Sequence, residues 1–169
     1  MERATIRLAT PADLPAIDTI YDYYVRTSTC TYQEEPDQPD VRREWFAAHG
    51  ERYPVTVIER DCEILGWASL SPWKERSGYR FTVELSVYLR DDTRGQGLGK
   101  RLLADLVERA AELGYHAIIG GASSEQVASI RLHESLGFTR VAHFLETGFK
   151  FGKWLDVVYY QKRLGPGLM

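Results

Sequence analysis

The chain has 169 residues, enough for one hydrophobic core and short for two, so a single domain over residues 1–169 is expected. A net charge of −3 argues against a nucleic-acid surface, and 44% hydrophobic with 27% charged residues is the balance of a globular domain. No apolar run approaches the roughly 18 residues of a membrane span, the N-terminus lacks the apolar core of a secretory signal, and Cys30 and Cys62 are too few for a disulfide framework or a metal site. The expectation is a cytoplasmic protein without membrane, nucleic-acid or metal partners.

Thr5–Leu8 reads as a first strand. Thr10-Pro11-Ala12-Asp13 is a helix start, with Thr10 as N-cap, Pro11 at the first helical position and Asp13 facing back as in a capping box. The helix carries Leu14, Ile17, Ile20, Tyr21 and Tyr24 towards Arg26, where Thr27–Thr31 breaks it. A second helix is predicted over Asp40–His49, then a hairpin of Val55–Glu59 and Ile64–Ser71 across Arg60-Asp61-Cys62. Phe81–Leu89 alternates apolar and polar side chains and reads as a fourth strand. Leu102, Leu103, Leu106, Val107, Ala110 and Leu113 recur at helical spacing, with Gly114 as the stop. Ala117–Gly121 is a fifth strand, Glu125–Leu136 a helix stopped by Gly137, and strands follow near Thr139–His143 and Leu155–Lys162. This order predicts an α/β fold with a mixed sheet.

The chemistry concentrates in Arg94-Gly95-Gln96-Gly97-Leu98-Gly99-Lys100, between the fourth strand and its helix. A strand, glycine turn and helix start present unpaired N–H groups to a phosphate. An NTPase loop needs a Ser or Thr after its lysine, and Arg101 follows Lys100; a dinucleotide fingerprint needs a glycine at position 100. The spacing Arg94-x-x-Gly97-x-Gly99 is similar to the pyrophosphate loop of the GNAT superfamily of N-acetyltransferases. Gln126-x-x-Ser129-x-x-Leu132-His133 resembles that family's second cofactor motif, with Gln126 where an Asn is usual and His133 where a Tyr is usual. The histidine points to the phosphinothricin and methionine sulfoximine acetyltransferase branch. So do Thr27-Ser28-Thr29 with Glu35-Pro36, Pro72-Trp73-Lys74-Glu75-Arg76, and Gly148–Val157.

The resemblance covers essentially the whole chain. It implies the GNAT fold, a mostly antiparallel mixed sheet of about seven strands flanked by about four helices. It also implies acetyl-CoA as co-substrate, held by Val87, Tyr88, Leu89, Arg94, Gly95, Gln96, Gly97, Leu98, Gly99, Lys100, Gln126 and Ser129, and a homodimer as in the branch. Gln126 in place of Asn leaves the hold on the pantetheine arm open.

Acyl transfer to an amine needs a base, oxyanion donors and a proton for the departing thiolate. Thr82, Glu84, Ser86 and Tyr88 share one strand face, opposite Val83, Leu85, Val87 and Leu89. Glu84 is the candidate base, and a strand glutamate simply facing solvent is the plain alternative. The Leu89 amide is the expected oxyanion donor, and His133 is the candidate acid, with Tyr88 able to share that role. Lys74, Glu75, Arg76 and Arg80, with Glu84, Leu85 and Ser86, are the candidate substrate contacts, the cations serving anionic groups of a small amine. Tyr24, Tyr32, Trp73 and Tyr79 could wall a pocket. Phe149, Phe151, Trp154, Tyr159 and Tyr160 form an apolar run suited to a dimer interface. The reading is an acetyl-CoA-dependent N-acetyltransferase acting on the free amine of a small amino-acid analogue such as phosphinothricin or methionine sulfoximine. Alternatives are acetylation of protein N-termini or other small amines, and a non-catalytic acyl-CoA-binding regulator.

Overall fold

In the computed structural model, which describes residues 3–165, the first helix begins where its cap is written. The Asp13 carboxylate accepts from the Thr10 amide at 2.7 Å and from its hydroxyl at 3.1 Å, closing the reciprocal cap. A short turn over Pro11–Asp13 leads into α1 (Leu14–Thr27), which buries Ile17, Ile20 and Tyr24. Arg7, from strand β1 (Thr5–Leu8), bridges Asp13 and Glu59 and ties this corner to the sheet. Helix α2 (Pro39–Ala47) starts one residue before the expected position and stops two residues short.

Strands β2 (Val55–Arg60) and β3 (Glu63–Pro72) form the expected hairpin. Its two-residue turn holds Asp61 and Cys62 at φ of 53° and 63°, the left-handed pair that matches strand twist. Then come β4 (Thr82–Leu89), α3 (Leu98–Glu112), β5 (Ala117–Ser123) and α4 (Val127–Ser135). The last two strands, β6 (Thr139–Lys150) and β7 (Lys153–Arg163), are much longer than their alternation predicts. They form one extended hairpin with register shifts between Arg140 and Ala142 and between Phe144 and Gly148, and a tight turn at Phe151-Gly152. These shifts break the period-two pattern, which is why the sequence marks only the hairpin's root.

The sheet runs β1-β2-β3-β4-β5-β7-β6, and only β4 and β5 pair in parallel. Val83, Leu85, Leu102, Leu103, Leu106 and Ile118 build the core under α3 and α4. Ile17, Ile20, Tyr24, Val55, Val57 and Trp67 build a second core under α1 and α2. Tyr160 is 2% exposed and donates to Glu134, so it is a core residue and not part of a surface run.

A Cβ added at Gly120 would overlap His133 Nε2 and stand 3.3 Å from Leu85 Cγ. His133 cannot yield, because Phe138 and Tyr160 hold its ring at centroid distances of 5.4 and 5.7 Å. Gly120→Ala is therefore expected to cost about 1–3 kcal/mol by overpacking, read as a lower urea midpoint at unchanged slope. An unchanged midpoint would show that the imidazole moves freely.

Candidate active site

The site is set by where the main chain of β4 finds partners. Strand β3 covers one edge from Gly66↔Leu89 to Pro72↔Val83. The Arg90 amide bonds the Leu65 carbonyl at 2.8 Å and the Trp73 amide bonds the Thr82 carbonyl at 3.4 Å. That register turns the main-chain groups of even-numbered β4 residues towards β3 and those of odd-numbered residues away. On the other edge β5 pairs only from Thr82↔Ala117 to Glu84↔Ile119, and then follows β7 out to Ser123↔Val157. The amides of Val87 and Leu89 therefore face a wedge between diverging strands, without a ladder partner. The Leu89 carbonyl is already used, accepting from the Tyr24 hydroxyl at 2.6 Å.

The glycine loop lies at the mouth of this wedge. Gly95 and Gly97 adopt φ of 76° and 74°, and the amides of Gly95, Gln96 and Gly97 have no acceptor among the described residues. Gly97 is the N-cap of α3 and offers no side chain to the first turn, whose amides stay free as at any helix start. Gly99 is buried, letting Leu89 and Leu132 close on the helix. Leu98 is core, while Lys100 is exposed. Arg94 lies over the Tyr24 ring, donates to its hydroxyl at 3.2 Å and pairs with Asp91, and Gln96 accepts from Arg60. Free amides, a helix N-terminus and nearby cations make an anion site.

Glu84, Ser86 and Tyr88 share the α1 face, and Leu85 faces the opposite core, so only its main chain borders the wedge. Glu84 is half-buried, and desolvation pushes its carboxyl above the ordinary 4.5 against a smaller opposing pull from Lys74. Tyr88 stacks on Trp67 at 5.0 Å with the edge of Tyr21 at 5.1 Å, and burial pushes its phenol well above 10. Such a phenol is a poor acid at neutral pH.

Of the candidate substrate cations, Lys74 is the one whose charge reaches Glu84. Glu75 and Arg76 are exposed, and Arg80 stacks on Phe81 and donates to the Ser77 carbonyl. Trp73 meets Tyr159 edge-on at 5.5 Å, while Tyr79 is exposed.

His133 is 3% exposed, and its Nδ1 lies 2.7 Å from the Ser129 carbonyl. A carbonyl only accepts, so Nδ1 carries the hydrogen and Nε2 is left as a lone-pair acceptor, buried against Gly120 without a partner. Desolvation lowers this imidazole's pKa, favouring the neutral ring. The expected acid is thus held as a neutral acceptor in the core. Gln126 caps α4, and its amide donates to Thr29 Oγ1 at 3.0 Å and Ser28 Oγ at 3.4 Å. Sequence reasoning missed Tyr24 as the clamp on β4 and missed Lys150, buried beneath the Ser28–Thr31 turn. The sequence marks Tyr24 as core or a pocket wall and not as a hydrogen-bond donor to β4, and around Lys150 it marks only the apolar run of Phe149 and Phe151.

Residues 17–138 match the Acetyltransferase (GNAT) family. The chain belongs to the GNAT acetyltransferases. A GNAT relative from Salmonella typhimurium, an L-methionine sulfoximine/L-methionine sulfone acetyltransferase, is 40% identical over 161 residues, covering 95% of this chain and 94% of its own. The GNAT phosphinothricin acetyltransferase of Sinorhizobium meliloti, solved in complex with acetyl-CoA, superposes with a TM-score of 0.93 at 38% identity, over 97% of this chain and 90% of its own. A ribosomal-protein-alanine N-acetyltransferase from Brucella melitensis superposes with a TM-score of 0.92 at 39% identity, over 95% of this chain and 99% of its own.

The raised carboxyl of Glu84 carries a sign for stability. The folded state binds its proton more tightly than the unfolded chain, so the contribution favours folding below 4.5 and is lost as pH rises through the raised value. At neutral pH the protein holds a partly desolvated carboxylate, a cost that Glu84→Gln removes. The variant is expected to melt at or above the wild-type temperature at neutral pH, with the gap closing towards pH 4.5. A clearly lower melting temperature at neutral pH would mean that the carboxylate makes a stabilising contact.

Proposed function

We propose that this GNAT acetyltransferase uses acetyl-CoA to acetylate the free α-amine of a small amino-acid analogue such as methionine sulfoximine or phosphinothricin. The observation that carries the reading is one continuous arrangement. The half-buried carboxyl of Glu84 stands where β4 and β5 part, the free Val87 and Leu89 amides follow it, and the unpaired amides of Gly95–Gly97 lie at the far end. Acetyl-CoA supplies an acetyl thioester and a pyrophosphate, and the loop's unpaired amides fit the latter.

Glu84 takes the ammonium proton of the substrate, its raised carboxyl being a better-matched base than an exposed glutamate. The Val87 and Leu89 amides donate to the carbonyl oxygen as negative charge grows on it, a fixed pair that needs no reorganisation. The freed amine attacks the thioester carbonyl, and as the C–S bond breaks the proton shed by the nitrogen passes to the thiolate; thiols titrate near 8.5, so it leaves with little help from a protein acid. This fits a His133 held neutral in the core. Lys74 is the proposed partner of the substrate's anionic groups, with Arg76 and Arg80 at the cleft's outer edge.

The names of the Salmonella and Sinorhizobium relatives support a small amino-acid analogue; the Brucella relative's name favours a second reading, a protein N-terminus. A thiol-release assay separates them. Methionine sulfoximine and phosphinothricin are expected to give a higher kcat/KM than peptides with free N-termini. Glu84→Gln is expected to lower turnover on either analogue about a hundredfold at neutral pH, the scale of general-base effects. Peptides outcompeting both analogues would move the substrate reading to the second form, and a wild-type rate in the variant would remove Glu84 from the chemistry.

We also propose a homodimer through the β6–β7 hairpin, in a reducing cytoplasm where Cys30 and Cys62 remain free thiols. The hairpin exposes Val141, Phe144, Leu145, Phe149, Phe151 and Trp154, with Leu145 72% and Trp154 61% exposed, large apolar side chains of the kind a partner subunit covers. No helix among the described residues is long and apolar enough to cross a membrane. Light scattering at micromolar concentration is expected to give twice the chain mass, and a monomer mass would refute the dimer.

A further inference from the structure

Lys150, at the end of β6, is 1% exposed, yet no carboxylate stands within ion-pair distance of it among the described residues. Its three ammonium hydrogens go to main-chain carbonyls: Ser28 at 2.7 Å, Thr31 at 2.8 Å and Tyr24 at 3.4 Å. Two of these carbonyls belong to the C-terminal end of α1, where the helix dipole is negative, and the Phe151 ring covers the ammonium at 4.9 Å. A buried cation without a counter-charge is expensive unless every donor is used. Here every donor is used: two fasten the short Ser28–Thr31 turn and the third reaches back to Tyr24 in α1.

The same turn holds the start of α4. The Ser28 and Thr29 hydroxyls accept the Gln126 amide hydrogens, and Thr29 donates onward to Glu125 Oε2 at 3.1 Å. Glu125 Oε1 accepts from Lys153 at 2.7 Å, and Lys153 sits opposite Lys150 in the hairpin register. The contacts close a ring: hairpin, turn, helix start, hairpin. Tyr32 continues it, packing on Gly148 and donating to the Asp156 carbonyl. With its NH2 group engaged, Gln126 keeps Oε1 as the amide's acceptor without a partner among the described residues, and its backbone N–H ties it to the Ser123 carbonyl at the end of β5.

We propose that Lys150 is a positioning residue for the coenzyme arm: it fixes the Ser28–Thr31 turn, whose hydroxyls hold the Gln126 amide so that Oε1 is presented to an N–H donor of the bound coenzyme. The inference rests on the reading that coenzyme A lies along the wedge. It gives the longer Gln a hold on the arm at the position where the motif usually carries Asn.

The test is calorimetric titration of coenzyme A into the full chain, with melting temperature measured alongside. Lys150→Met and Gln126→Ala are each expected to weaken binding about tenfold, and the double variant no more than either alone, because both act through one contact chain. Thr29→Val leaves the lysine's carbonyl partners in place and removes the hydroxyl that links the turn to Gln126 and Glu125. It is expected to weaken binding similarly with little change in melting temperature, so the inference survives a Lys150 variant that folds poorly. Additive losses, or wild-type affinity in Thr29→Val, would overturn the inference while leaving the coenzyme reading intact. A wild-type protein that binds no coenzyme A, or a Gly97→Asp variant that binds it undiminished, would instead bring down the reading beneath it.

Discussion

The early end of the β4–β5 ladder is the constraint on which the site depends. These are the only parallel neighbours in the sheet, joined through α3, and they part after Glu84↔Ile119. Unpaired main chain is costly to leave inside a protein. Here the cost falls at two amides of β4, Val87 and Leu89, opposite a wall that has turned towards β7. An extended molecule carrying amides of its own is a natural occupant of such an edge, by the same logic that adds a peptide strand to an open sheet. The crossover also fixes the direction of approach, because α3 must begin beyond the C-terminal end of β4. The glycine loop therefore stands at the wedge's mouth and the carboxylate at its root.

The two faces of β4 divide the labour. Leu85, Val87 and Leu89 pack towards α3 and α4, closing one side of the wedge with apolar contacts. On the other side Tyr88, Trp67, Tyr21 and Tyr24 form an aromatic floor, and Arg42 lies across it, 4.6 Å from the Trp45 ring centre. Arg42 is 6% exposed and paired with Asp18 at 2.8 Å, which ties this face to α1. Tyr24 joins the two sides. Its ring belongs to the floor, its hydroxyl steadies the end of β4, and Arg94 of the glycine loop lies on it.

Much of this was legible in one dimension because it depends on local rules. Thr10 and Asp13 three residues apart, the glycines after an alternating strand, and the parity that puts Glu84 with Ser86 need no tertiary information. The wedge was not legible, since it arises from a register between strands separated by a whole helix. The long hairpin was hidden by its register shifts. His133 was placed on the right helix, but its hydrogen bond to Ser129 decides its tautomer, and a motif does not encode that bond. Arg80 reads as a binding cation because its neighbours are cations, whereas its guanidinium is spent on Ser77 and Phe81. Lys150 is the hardest case, because burial of a lone lysine is made affordable only by carbonyls more than a hundred residues away.

That separation bears on how the protein assembles. The β6–β7 hairpin closes through a two-residue turn, a local and rapid event, whereas Lys150 and Ser28 stand 122 positions apart. The ring around the Ser28–Thr31 turn joins segments far apart in sequence, so its contacts carry one of the larger loop-closure costs in the fold. The glycine loop is assembled from local sequence, whereas the proposed hold on the coenzyme arm draws on the β6–β7 hairpin as well.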